Sequence, residues 1–517
     1  GIASFDPAAL TSVTNAGTID MTRGGAATSD RFTIGGNYTG NDAVLRLQTE
    51  LGDDTSPSDQ LRIERGTATG NTTIVVTNVG GAGAATTGDG IRVVDAADGA
   101  TTSASAFALS GAIAVGAYEY LLFRGGTNAG TEESWFLRSS IVPSVTGEQP
   151  VPPDPGEPPP PDPGTPQPPF IPPAMIPVAT PGTPPPTPGA TPVVMPPGVA
   201  VPLYRVETPL YAAVPPLAHH IGLTTLGTFH ERRGEQAFLN SDGFASGGWG
   251  RVFGQSANVK WSGDVAPSFD GTLFGIQAGL DLFGRETASG ARQQAGLFFS
   301  YARASGDILG QALGWNDLTV GTAEINGTGF GGYFSHVGPT GWYVDGVIAA
   351  TWYDGATQSM RGLGIETNGH GIAASLETGY PIAIADGWTV EPQAQLIWQR
   401  IWLDDAEDAA SPIRFASDGA ITGRIGVHLS GSFGSAIPIE PYLKANLWHT
   451  FDAEETAFMG TNPIVTNLEQ TSLELGGGIS ARLSDTAKIF AAADYTMNLG
   501  GEKVRVFEGN VGLTVSW

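Results

Sequence analysis

The sequence predicts an all-β protein whose C-terminal half is a twelve-stranded antiparallel transmembrane β-barrel, on three observations. Residues 247–517 alternate apolar and polar side chains in about twelve segments, the period of strands with two unlike faces. The connections between those segments alternate between long and short. The chain then closes on the row Val511, Leu513, Val515 and Trp517, apolar at every second position and ending on an aromatic. Each segment can cross a bilayer at a tilt, which takes roughly 9–11 residues. An even set of strands, apolar outward and polar inward, marks an outer-membrane barrel.

Composition agrees. The 517 residues exceed one ordinary domain, and 25 basic against 51 acidic side chains give 25 − 51 = −26. Nucleic acid and anionic lipid headgroups, which need a basic patch, are poor partners for such a chain. Cysteine is absent, which suits passage through an oxidising periplasm. No run of about 18 apolar residues predicts a transmembrane helix. Gly1-Ile2-Ala3-Ser4 lacks the basic and apolar segments of a signal peptide, so an exported chain is expected to have further sequence before Gly1.

Before the barrel the composition changes twice. Residues 1–142 are rich in Gly, Thr, Ala and Val, with short β-like runs at Arg31–Ile34, Ala43–Leu47, Gln60–Glu64, Thr72–Thr77, Gly90–Val94, Ala106–Leu109 and Tyr118–Phe123. Recurrent strands without a helical period suggest a β-solenoid or a sandwich, and a short β-solenoid end is the form expected for residues 1–142. Residues 143–202 are proline-dense and are expected to form an extended spacer, or a ligand for a proline-reading domain. Residues 203–246 form an entry segment. Within it, Leu223, Leu226 and Phe229 recur at three-residue spacing, and charge gathers at Arg232, Arg233 and Glu235. A helix is predicted over 217–238.

In the barrel, Val390, Pro392, Ala394, Leu396 and Trp398 alternate with Glu391, Gln393, Gln395 and Gln399. Ile421, Gly423, Ile425, Val427 and Leu429 alternate with Thr422, Arg424, His428 and Ser430. Leu473, Leu475, Ile479 and Leu483 alternate with Glu474, Ser480 and Arg482. A polar face of mixed charge reads as a wet lumen, to which Asp281, Asp345 and Glu377 are also assigned. Trp342, Trp352, Trp388, Trp398, Trp402 and Trp448 near strand ends read as interfacial girdles. Long connections are expected at 257–269, 306–320, 354–368, 403–417 and 451–469, and short ones at 284–290, 338–340, 386–387, 434–436 and 484–486. Both barrel ends then fall on the periplasmic side.

Several motifs extend this pattern to nearly the whole chain. Gly116-Ala117-Tyr118-Glu119-Tyr120-Leu121-Leu122 and Ser134-Trp135-Phe136-Leu137-Arg138-Ser139 precede Pro202-Leu203-Tyr204-Arg205 and Leu226-Gly227-Thr228-Phe229-His230-Glu231-Arg232. Trp249-Gly250-Arg251, Gly275–Asp281, Gly331-Gly332-Tyr333, Glu391–Gln395 and Pro441-Tyr442-Leu443 follow in order. Together they resemble a type Va autotransporter with a pertactin-like passenger end. The resemblance implies an outer-membrane barrel, a helix threaded through its lumen and a passenger at the cell surface. It implies an autochaperone-like role for Tyr118, Tyr120, Leu122, Trp135 and Phe136. It also implies that Val511, Leu513, Val515 and Trp517 are read by the barrel-assembly machinery, with periplasmic chaperones as further partners and a monomeric barrel. An adhesin or other surface factor is the role this resemblance implies for the passenger.

Catalytic and metal patterns are incomplete. His230-Glu231-Arg232-Arg233-Gly234 lacks the second His of a zinc-protease helix. Gly80-Gly81-Ala82-Gly83-Ala84-Ala85 lacks the Asp of a calcium nonapeptide, and there is no G-x-S-x-G elbow. His219-His220 reads as solvated surface. Residues 203–239 contain no Asn, so passenger release by cutting between two Asn in the helix, as in some autotransporters, is not expected. No enzyme activity and no cofactor are expected. The alternatives are a porin-like barrel with an N-terminal appendage, which conductance would distinguish, and an enzymatic passenger encoded upstream.

Overall fold

The computed structural model describes residues 1–6, 8–141, 177–194, 199–233, 247–433 and 438–517. They fall into two compact units: residues 1–205 with 312–316 and 460–462, and the remainder.

The first unit is a stack of coils. Parallel pairing joins Arg31–Ile34 to Gln60–Ile63, Leu61–Glu64 to Val94–Ala97, Tyr38–Thr49 to Ala68–Asn78, and Thr72–Ile74 to Phe107–Leu109. Partners such as Arg31 and Gln60, or Leu61 and Val94, are about one coil apart in sequence. The inward residues Ile34, Tyr38, Leu45, Leu61, Ile63, Ile74, Ile91, Val93 and Phe107 form one buried core. The stack ends in a change of pairing. Tyr118–Arg124 and Trp135–Arg138 run antiparallel to each other, and Trp135–Leu137 runs antiparallel to the strand Ile91–Ala97. Trp135 is fully buried, edge-on to Phe107 with ring centroids 5.3 Å apart.

The second unit is a closed barrel of twelve antiparallel strands. They are β1 (Gly247–Lys260), β2 (Ser268–Glu286), β3 (Arg292–Ala312), β4 (Trp315–Val337), β5 (Tyr343–Ser359), β6 (Glu366–Gly379), β7 (Trp388–Leu403), β8 (Ala420–Gly431), β9 (Ile439–Thr450), β10 (Gln470–Arg482), β11 (Ala487–Gly500) and β12 (Val504–Ser516). Closure runs from Gly247↔Ser516 to Val259↔Val504. The two faces follow the period of two: Ile425 and Leu443 are 62% and 64% exposed on the outside, whereas Arg424, next to Ile425 in β8, is 2% exposed on the inside. Outward exposure here means contact with lipid, the solvent that such a surface requires.

Several expectations change. The long connection expected at 306–320 is a two-residue turn, Leu313-Gly314, with φ of 53° and 79°. Positive φ at both central residues matches the right-handed strand twist, so β3 and β4 run on past polar Asp307 and Asn316 that read as loop. Trp448 does not join the interfacial girdle, because its Nε1 donates to Glu474 Oε2 at 2.8 Å on the inner face. Trp352, Trp388, Trp398 and Trp402 do lie exposed on the outer face. The spacer expected over 143–202 is shorter at its C-terminal end: Val178 N donates to Leu122 O at 2.8 Å, and Val201–Pro202 pairs with Ser140–Ile141. The spacer residues 142–176 lie outside the described residues.

Deleting the ring that ends the coil core should cost about 3–5 kcal/mol, the usual price of truncating a fully buried Trp. Trp135→Ala is therefore expected to make residues 1–141 protease-sensitive at urea concentrations the parent resists. The heat-dependent gel migration of the barrel should be unchanged.

Candidate functional site

The polar inner face of the barrel surrounds three short helices, α1 (Glu207–Ala212), α2 (Val214–Leu226) and α3 (Phe229–Arg233). The single helix expected at 217–238 thus begins earlier and breaks at Gly227. Pro215 and Pro216 precede the expected helix start in the entry segment, yet they sit in the first turn of α2, whose N–H groups have no intrahelical acceptor. Gly227 has φ 59°, and a Cβ there would lie 2.6 Å from Arg251 Nη2. Residues 234–238, including Glu235, lie outside the described residues, and of Arg233 only the backbone is described.

The break is clasped on both sides. Arg251 Nη2 donates to the carbonyls of Thr224 and Thr225 at 3.3 and 3.2 Å, and Gln277 Nε2 donates to Thr225 O at 3.1 Å. A cation is favoured at the negative end of a helix. Thr228 and Glu231 form a capping box at the start of α3: Thr228 N donates to Glu231 Oε2 at 3.0 Å, and Glu231 N donates to Thr228 Oγ1 at 3.3 Å. This T-x-x-E signal was legible in the sequence and was not used.

Apolar and charged contacts then fix the helices. Leu226 is buried among Trp249, Phe298, Tyr333, Val347 and Ala373. Phe229 stacks on Tyr343 with centroids 4.7 Å apart, and its N–H donates to Glu377 Oε2 at 2.8 Å. Arg232 is ion-paired with Asp345, which also accepts from Ser335 Oγ at 2.5 Å. His230 Nε2 is 2.8 Å from Glu391 Oε1, and its ring stacks on His428 at 4.8 Å. Lys444 Nζ meets Glu231, Glu474 and Asp494 at 2.7, 2.8 and 3.1 Å. Arg424 joins Glu377 at 2.9 Å, Gln395 at 3.0 Å and Gln393 at 2.8 Å. Asp281 accepts from Tyr333 Oη at 2.5 Å, and Arg482 lies half-buried on the same inner face of β10 as Ser480 and Glu474.

The expected inner-face residues are therefore gathered in one place, together with Arg251, Gln277 and Lys444, which the sequence reading passed over. Their signal was the polar phase of alternation in β1, β2 and β9. His219-His220 is a correction. His219 is 6% exposed with Nε2 2.8 Å from Glu455 Oε1, and His220 Nε2 is 2.9 Å from Gln255 Oε1. The helix carrying both rings lies inside the barrel, where Glu455 and Gln255 meet them in place of water.

Further N-terminal, α1 is held by connections between strands. Fully buried Glu207 pairs with Arg361 Nη2 at 2.7 Å, and Tyr211 Oη donates to Asp408 Oδ2 at 2.9 Å. Segments Ala406–Glu407, Pro412–Ser417, Glu454–Met459, Asn462–Asn467 and Ser262–Gly263 form a separate five-stranded sheet from those connections. Beside α2, His220, Thr224, Glu231, Gln255, Glu474 and Glu508 line a cavity of about 150 Å³.

At the strand edge, Val511, Leu513 and Trp517 are exposed on the outer face and Val515 is partly so. In the first unit, Tyr120, Leu122 and Trp135 enter the core, and Tyr118 stacks on Tyr204 at 5.5 Å. Phe136 is buried on the opposite face, beneath the Arg92 guanidinium at 5.3 Å. Burial pushes the Tyr120 hydroxyl up to about 12, and Tyr120 Oη donates to Gly52 O at 2.7 Å. Burial pulls Arg138 down to about 10, still charged at neutral pH.

A closed antiparallel barrel with a lipid-facing outside and a polar inside defines an outer-membrane protein. Residues 248–494 match the family described as autotransporter beta-domain, and residues 8–122 match autochaperone domain type 1. The chain belongs to the type V autotransporters, and its barrel is the translocator domain of that family. It is 28% identical to the adhesin BmaC autotransporter of Brucella suis over 98% of this chain and 14% of that protein. It is 29% identical to the pertactin autotransporter of Bordetella bronchiseptica over 54% of this chain and 29% of that one. It thus spans less than a third of either relative. The crystal structure of the beta domain of the Bordetella autotransporter BrkA is 24% identical, covering 53% of this chain and all of that one, with a TM-score of 0.40.

The Lys444 cluster yields a test. Lys444→Met leaves Glu231, Glu474 and Asp494 without their shared cation, and uncompensated buried charge costs about 3–5 kcal/mol. The variant barrel is expected to lose its folded gel migration at a lower temperature than the parent. Gly227→Ala is expected to do the same more mildly, by roughly 1–3 kcal/mol for a strained backbone.

Proposed function

We propose that this chain is the exporting end of a longer surface protein, and that it carries its own passenger across the outer membrane and displays it. The observation that carries this reading is the helical segment 207–233, which precedes β1 in the chain. It lies inside the barrel, with Arg232 paired to Asp345 and Phe229 stacked on Tyr343. A strand of passenger that had crossed the lumen would leave its trailing end in that place. The relatives are named as an adhesin and as pertactin autotransporters, not as enzymes. Adhesion is accordingly the passenger role we favour.

The porin reading is disfavoured because α2 and α3 occupy the lumen, with Leu226 packed among Trp249, Phe298 and Tyr333 and Arg232 paired to Asp345. Removing residues 214–233 is expected to raise single-channel conductance severalfold. Equal conductance with and without the segment would refute the plug. The barrel inserts as a monomer, delivered by periplasmic chaperones and recognised through Val511, Leu513, Val515 and Trp517 by the barrel-assembly machinery.

Deleting Val515-Ser516-Trp517 removes two of the four outward side chains in that row, each worth roughly 1.5–3 kcal/mol by analogy with apolar burial. It also removes ladder pairs such as Gly247↔Ser516 and Gly248↔Val515. Outer-membrane levels in cells should fall far more than spontaneous folding into detergent micelles. Normal surface display of the truncated chain would overturn both the closure and the recognition arguments.

A further inference from the structure

The antiparallel strands that end the coil stack, Tyr118–Arg124 and Trp135–Arg138, pair with each other only from Leu121↔Arg138 to Arg124↔Trp135. Beyond Leu121 and Arg138 they part, leaving two facing edges, 117–119 and 139–141. Residues 201–205 fill the gap as an inserted strand. Leu203 N donates to Ser139 O at 2.7 Å on one side, and Glu119 N donates to Leu203 O at 2.8 Å on the other. The ladder continues with Ile141↔Val201 and Ser140↔Pro202, with Arg205 N donating to Ala117 O at 3.0 Å, and with an antiparallel bridge between Tyr118 and Tyr204.

The side chains seat the strand as firmly as its backbone. Leu203 is 1% exposed against Leu121, Phe123 and Ile141. Tyr204 stacks on Tyr118 with an interplanar angle of 20°. Arg205 is fully buried, and its Nε donates to Gly116 O at 2.7 Å. Ile141 is held by Val201, and Val178 N donates to Leu122 O at 2.8 Å. The two ends of the proline-dense stretch are therefore attached to the same body.

We propose that residues 201–205 are a docking strand for the groove between 117–119 and 139–141. The passenger end is joined to the barrel's entry segment through this ladder, so covalent continuity through residues 142–176 is dispensable once the chain has folded. A chain cut in that stretch is a two-fragment complex, with the fragment ending near residue 160 gripping the strand carried by the other.

The test is a full-length protein with a site for a sequence-specific protease inserted between Pro161 and Asp162, displayed on cells or purified in detergent. After complete cutting, the N-terminal fragment is expected to stay with the barrel fragment through washing and size exclusion. A synthetic peptide of residues 199–206 in excess should speed its release at least tenfold. Leu203→Asp should release it on cutting, while the heat-dependent migration of the barrel and the protease resistance of residues 1–141 stay those of the parent. Should that variant lose protease resistance, the peptide arm decides alone. Prompt release of the parent fragment would overturn the proposal. So would retention that neither peptide nor Leu203→Asp weakens. Neither result would touch the export reading, which rests on the barrel and its lumen.

Discussion

Hydrocarbon cannot hydrogen-bond a backbone, and that single fact organises the barrel. Every N–H and C=O in the spanning strands must find a partner in another strand, so no edge can be left open. The first strand therefore pairs with the last, from Gly247↔Ser516 to Val259↔Val504, and the sheet becomes a cylinder. Closure also fixes direction. Because side chains alternate with a period of two, a closed sheet has one face in lipid and one facing itself, and a residue's parity decides its solvent.

The inner face inherits the consequences. A cylinder of this size brings Asp281, Asp345, Glu377, Glu391 and Glu474 into a narrow space where each is at least nine-tenths buried. Buried charge is tolerable only when paired and hydrogen-bonded. The pairing comes partly from the strands, through Arg424 and Lys444, and partly from α3, through Arg232, His230 and the N–H of Phe229. The helix and the lumen are thus electrostatically complementary. The break at Gly227 lets Leu226 and Phe229 face separate apolar patches, around Trp249 and Tyr343 respectively.

The coil stack meets the edge problem in water rather than in lipid. A parallel stack ends in unpaired backbone and an exposed core, which invites association with other chains. Here the pairing turns antiparallel after residue 113, and Trp135 and Leu137 close the core beside Ile91 and Val94. Sequence spacing between short strands could not distinguish this stack from a sandwich. Each coil contributes strands to more than one ladder, and only pairing shows which strands lie one coil apart.

The sequence by itself determined the strand count and the two-faced character of the strands. Both depend on a local alternation that survives in one dimension, as in Glu391, Gln393 and Gln395 against Pro392, Ala394 and Leu396. It was a weaker guide to element ends. Asp307 and Asn316 read as loop, and Pro215 and Pro216 fall before the expected helix start, because polarity and proline report average preference rather than position within a turn. Trp448 and His219 were misplaced for a related reason. An aromatic near a strand end faces lipid or lumen according to register, and a histidine on a helix faces water only if no barrel surrounds it. Which carboxylate meets which cation was decided by the tertiary structure alone. Lys444 lies 213 residues from Glu231 in the chain, and only closure of the cylinder around α3 brings Nζ within 2.7 Å of its oxygen.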